Sequence, residues 1–147
     1  MSESTAVPWH RVAMAGLAFT WAGLVLGLSF LEAPLKFQAP GITRELGLGI
    51  GQIVFGALNR IEIGLSLAAL LIAVLWRPGT LSRIVLACVL LLVLLQSLWL
   101  LPVLDARTVL ILGGAEPAPS YHHVLFIGVE AAKVVGLLVL GVLTVRR

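Results

Sequence analysis

The chain has 147 residues, 60% of them hydrophobic and only 12% charged, with a mean hydropathy of +1.09. This composition excludes a soluble enzyme, and the formal net charge of +3 comes from basic residues at the ends of apolar runs, not from a nucleic-acid surface. Cys88 is the only cysteine, which excludes an intramolecular disulfide or a cysteine-rich zinc site.

Val12 to Leu31 carries no charge and, at about 20 residues, is long enough to cross a bilayer as a helix. The run is too long for a signal-peptide core and no small-x-small cleavage pattern follows it, so a retained span is expected. Gly16, Thr20, Gly23 and Gly27 form a small-residue stripe, the pattern of close helix packing in membranes and a candidate contact between copies. Pro34 pushes Ala33 away from helical dihedrals, so this span is expected to end near Glu32. Lys36, Pro40-Gly41, Arg44 and Glu45 then read as a polar connection.

The second span is expected over about Gly49 to Trp76, stopped by Arg77-Pro78-Gly79. Gln52, Asn59 and Ser66 recur every seven residues, with Glu62 close to the same line, giving one polar seam. Arg60 points about 100° away from Asn59. The third span, Ile84 to Leu104, holds Gln96 and Ser97 as its strongly polar members, and Cys88 is expected there as a buried thiol. Asp105 to Ser120 reads as a loop, with Gly113-Gly114 and Pro117-Ala118-Pro119 as breakers and a Val109 to Leu112 patch near the interface. Ser120 is placed to cap the last helix, Tyr121 to Val145. The expected fold is therefore all-α, a single-domain integral membrane four-helix bundle with spans at about 12–32, 49–76, 84–104 and 121–145.

Arg11, Arg77, Arg83, Arg146 and Arg147 fall on one side, and Lys36, Arg44 and Arg107 on the other, diluted by acids. The arginine-rich side should be cytoplasmic, which places both termini inside, as in a bacterial inner (plasma) membrane. Trp9 and Trp76 would mark one interface, Trp99 and Tyr121 the other.

Charge inside the apolar runs carries the functional expectation. An ionisable group in mid-membrane costs about 2.5–3.5 kcal/mol on insertion scales and needs a partner or water. At about 1.5 Å per helical residue, Glu62, Gln96 and Lys133 all lie about 20 Å from the arginines that end their spans. They define a layer of Asn59, Arg60, Glu62, Gln96, Glu130 and Lys133, with Glu32 just beyond it. His122, His123, Glu130 and Lys133 share one face of the last helix, and Glu62 with Lys133 and Arg60 with Glu130 are the expected cross-helix pairs. Three readings fit this layer. It binds or conducts a small polar solute or ion, as a homo-oligomer; it locks the helices of an accessory subunit; or His122 and His123 hold a metal, copper or haem, although no cofactor is required. Nucleotide, zinc-protease and serine-nucleophile motifs are absent, so a non-enzymatic role is expected.

Leu31-Glu-Ala-Pro-Leu-Lys-Phe37, followed by Gly51-Gln-Ile-Val-Phe55 and a histidine opening the fourth helix, resembles the transmembrane protein 205-like family of small membrane proteins. The resemblance implies four membrane helices and no agreed activity. Glu130 and Lys133 depart from the family pattern, in which an Asn is usual. Trp21-Ala-Gly23 with His10 gives a weaker likeness to copper-resistance membrane domains.

Overall fold

In hydrocarbon a chain must satisfy its own backbone N–H and C=O groups, and a helix does so within one segment. A computed structural model, which describes residues 8–146, meets this demand with four helices and, among the described residues, no strand. They are α1 (Trp9–Gln38), α2 (Arg44–Trp76), α3 (Thr80–Leu112) and α4 (His122–Val145), each long and apolar enough to cross a membrane. Each helix packs against its sequence neighbours, and α1 against α4 closes the ring, so α2 and α4 stand at opposite corners.

The helices outrun the expected spans. Three of them have 30 to 33 residues, about 45–50 Å against a hydrocarbon core of about 30 Å. Pro34 does not end α1. The helix widens into a π-helical stretch at Leu26–Glu32, passes Pro34 and finishes in a 3₁₀ turn at Lys36–Gln38. In a regular α-helix the ring of Pro34 would meet the carbonyl four residues back and leave it without a donor; a wider turn just before the proline relieves both problems. The same device recurs in α3, where a π-helical stretch at Gln96–Leu100 precedes Pro102 and the helix runs on to Leu112. Asp105 to Leu112, expected as loop, is therefore helical.

Helix ends follow local chemistry. The Thr43 hydroxyl accepts a hydrogen bond from the Leu46 N–H at 3.2 Å and starts α2 five residues earlier than expected. Arg77 ends α2 in the left-handed region at φ 56°, before Pro78. Gly114, at φ 84°, turns the chain out of α3. The N-cap of α4 is Tyr121, without a side-chain cap, and the expected cap Ser120 sits one residue earlier, its Oγ accepting from the His122 N–H at 3.2 Å.

Both ends of the bundle carry aromatic clusters. His10 lies between Trp9 and Trp76, at 5.8 and 5.1 Å between ring centroids, at the end that holds Arg11, Arg77, Arg83 and Arg146. We call this the terminal end; Arg147 lies outside the described residues. At the distal end His122 stacks on Tyr121 at 5.1 Å and meets the edge of Trp99. Met14, Ala18, Ala69, Leu86 and Leu140 fill the interior toward the terminal end. Trp21, Val25, Val89, Val93, Val134 and Leu137 follow above them, then Leu100, Phe126 and Val129. Large apolar side chains such as Ile53, Leu71, Leu98 and Val135 are exposed on the outer faces. Cys88 is a correction: it too faces outward and is not buried. Gly16, Gly23 and Gly27 have open space where a Cβ would stand, so their stripe looks away from the bundle rather than packing within it.

Candidate functional site

Glu62, Gln96, Glu130 and Lys133, from three helices, meet in the interior at 0–2% exposure. Lys133 is the hub. Its Nζ donates to Glu62 Oε1 at 2.5 Å, across the bundle diagonal from α4 to α2, and lies 3.1 Å from Glu130 Oε1 one turn nearer the distal end of α4. Trp21 Nε1 on α1 donates to the same Glu62 oxygen at 2.9 Å. Gln96 Nε2 donates to Glu130 Oε1 at 2.8 Å and Ser29 Oγ donates to Glu130 Oε2 at 3.2 Å. All four helices thus contribute to one connected network.

The two π-helical stretches explain how this convergence arises. Ser29 lies in the widened stretch of α1 and Gln96 opens that of α3. A π turn inserts an extra residue and re-aims the side chains around it, which is why such turns recur at functional sites. Here both re-aimed side chains end on Glu130. Next to the network, Ser97 Oγ lies 2.6 Å from Asn59 Oδ1 and 2.8 Å from the Val93 carbonyl oxygen.

The expected layer is therefore largely assembled, with one member displaced. Asn59 stands beside the network, bonded to Ser97 and lining the same small void as Glu62, Gln96 and Glu130, and the expected Glu62–Lys133 pair is present. Arg60 is exposed on the outer face of α2 and makes no ion pair among the described residues, so the expected Arg60–Glu130 contact is replaced by Lys133, Gln96 and Ser29. Glu32 sits at the distal rim, 3.5 Å from Lys36 Nζ. Trp21 and Ser29 were not singled out for this site from the sequence. An indole N–H far from either interface is the signal for the first, because it needs an acceptor when buried. Ser29 gives none, since a serine on a membrane helix commonly bonds its own backbone.

Two carboxylates face one ammonium, so with all three groups ionised the network carries a formal charge of −1. Gln96 Oε1 is buried without a hydrogen-bond partner. It borders a void of about 10 Å³ that Asn59, Glu62 and Glu130 also line, close to the space one water molecule needs.

Glu130 has a second neighbour. A cavity of about 490 Å³ lies between the overhanging distal parts of the helices and reaches Glu130, within the usual range for small-molecule sites. Phe30, Phe37, Phe55, Phe126, Leu101 and Leu104 supply much of its apolar wall. Its polar groups are few: Ser29, Lys36, Gln52, Asp105, Thr108, His123 and Glu130. Two glycines give it shape. A Cβ on Gly47 would stand 2.2 Å from Cε1 of Phe37, and one on Gly51 would stand 3.0 Å from Lys36 Nζ. The absent side chains let the ring and the ammonium lie over α2. Gly47→Ala should swing the half-exposed Phe37 ring off the cavity and lower stability by about 1–2 kcal/mol, the low end for overpacking, read from thermal unfolding in detergent.

The histidines part company. His123 borders the cavity, whereas His122 turns to Ser120, Tyr121 and Trp99. Among the described residues no three His, Cys, Asp or Glu side chains converge to hold a metal ion. The chain matches no protein-family model, no curated protein and no solved structure.

Proposed function

We propose that this chain is a small membrane protein that takes up a small solute at its distal face and couples that event to the charge of the buried layer. The observation that carries the reading is Glu130, which both borders the cavity and belongs to the network with one carboxylate in excess. A proton or another cation arriving there neutralises charge that hydrocarbon disfavours. Below Lys133 the interior is closed by the apolar side chains around Trp21, Leu137 and Leu140. Passage across the membrane therefore requires a second arrangement of the helices, as in alternating access.

Proteoliposomes loaded with a pH-sensitive dye test the reading. Under an imposed potential the wild type should acidify, and Glu130→Gln, which keeps the Glu62–Lys133 pair, should slow acidification at least tenfold. Equal rates sink transport through the layer. A helix-locking accessory subunit is the second reading, favoured by the number of hydrogen bonds that end on Glu62 and Glu130. It predicts that Glu130→Gln lowers only the melting temperature.

We further place both termini in the cytoplasm of a bacterial inner membrane, since the terminal end holds Arg11, Arg77, Arg83 and Arg146. A homo-oligomer contact on the outward Gly16, Gly23 and Gly27 stripe fits the open space there, because small residues let helix backbones approach. We also propose kinship with the transmembrane protein 205-like family, whose shared stretches border the cavity. From the stretches that carry that resemblance, Ala33, Pro34, Lys36, Phe37, Gly51, Gln52 and Phe55 line it, as does His123, whereas Leu31, Glu32, Leu35, Ile53, Val54 and His122 do not.

A further inference from the structure

Resting on the reading of the distal cavity as a binding site, we infer that its ligand is an organic cation with an apolar body, a quaternary or protonated amine. The sign follows from the charges around the wall. Among the described residues Lys36 is the one lysine or arginine on it, and Glu32 already stands 3.5 Å from its ammonium. Asp105 has no ion-pair partner among the described residues. Glu130 shares a single ammonium with Glu62. The sum is negative, so an anionic guest would face uncompensated carboxylates at Asp105 and Glu130.

The body of the guest follows from the rest of the wall. Phe30, Phe37, Phe55 and Phe126 line a cavity that is far larger than a bare ion and mostly apolar, so an inorganic ion would shed its water without enough oxygen ligands to replace it. Aromatic faces attract cations, and the protein already uses these rings that way: Lys36 Nζ sits 5.4 Å from the ring centre of Phe55 and 5.7 Å from that of Phe37. Lys36 thus acts as a tethered occupant, and an incoming cation competes with it for the same faces.

The competition gives the test its direction. The full chain in lipid nanodiscs is titrated with radiolabelled benzyltrimethylammonium and, separately, with radiolabelled benzenesulfonate. Benzyltrimethylammonium should bind. Asp105→Asn should weaken it about three- to tenfold, and Lys36→Met should tighten it by a similar factor. Gly51→Leu, which fills the space beside the Lys36 ammonium, should abolish it. A guest of the opposite sign reverses the first two effects. Benzenesulfonate binding that Gly51→Leu removes, weakened by Lys36→Met, leaves the cavity as a binding site but overturns the cation. If neither probe binds in a way that Gly51→Leu removes, the cation and the binding site both fall.

Discussion

Lys133→Met should destabilise the bundle by about 3–5 kcal/mol, the usual penalty for removing one partner of a buried ion pair. The reason is specific to this interior. Lys133 is fully buried and its ammonium touches Glu62 and Glu130, so its loss leaves two carboxylates in one site with no cation between them. Trp21, Ser29 and Gln96 still donate hydrogen bonds, but neutral donors do not balance two charges in a medium of low dielectric. Unfolding in detergent should show the loss as a large drop in melting temperature. Lys133→Met combined with Glu62→Gln should recover much of it, because the double variant keeps a single carboxylate and thus the same formal charge as the wild type. A double-mutant cycle with no coupling between the two positions would show that the contact does not hold the helices together.

The interior of this layer was legible because two numbers govern a helix, its rise and its turn per residue. Rise placed Glu62, Gln96 and Lys133 at a common depth, and turn placed Glu130 and Lys133 on one face. Arg60 shows where the argument fails. Its angle already pointed away from the seam, yet its charge argued for burial, and the structure follows the angle. A guanidinium on a long apolar stem can lie along an outer face and reach a polar region, so charge alone does not place a residue inside. Cys88 failed in the opposite sense: in a helix apolar all round, nothing in the pattern tells the lipid face from the core.

The cavity was hidden for a different reason. Charges at Lys36, Arg44 and Asp105 read as the ends of spans, whereas the helices continue past them and their overhangs enclose the space. Pro34 strengthened that misreading. A proline normally predicts a helix boundary, but a π turn placed just before it lets the helix pass. The sequence carries no separate mark of such a turn, so the two stretches that aim Ser29 and Gln96 at Glu130 emerge only in three dimensions.

Deleting Leu98 is expected to have the second large effect, and it tests whether the widened turn in α3 builds the site. Leu98 is 77% exposed, so Leu98→Ala should change little. Removing the residue altogether turns the five-residue stretch Gln96–Leu100 into an ordinary α turn; because the i→i+5 pattern had absorbed the extra residue within one turn, the helix beyond keeps nearly its original face. Leu100, fully buried against Phe126 and Val129, therefore stays near its place in the core. Leu101, Leu104, Asp105 and Thr108 keep to the cavity wall, whereas Gln96 loses the aim that brings it to Glu130. Pro102 loses the wide turn that accommodates it, so its ring adds strain against the preceding turn. The deletion should therefore lower the melting temperature sharply, while Leu98→Ala should not. Pro102→Ala in the deletion background separates the two causes: it removes the strain from the proline but does not restore the contact of Gln96 with Glu130. A deletion variant as stable as the wild type would mean that the π stretch is incidental, and that Gln96 reaches Glu130 without it.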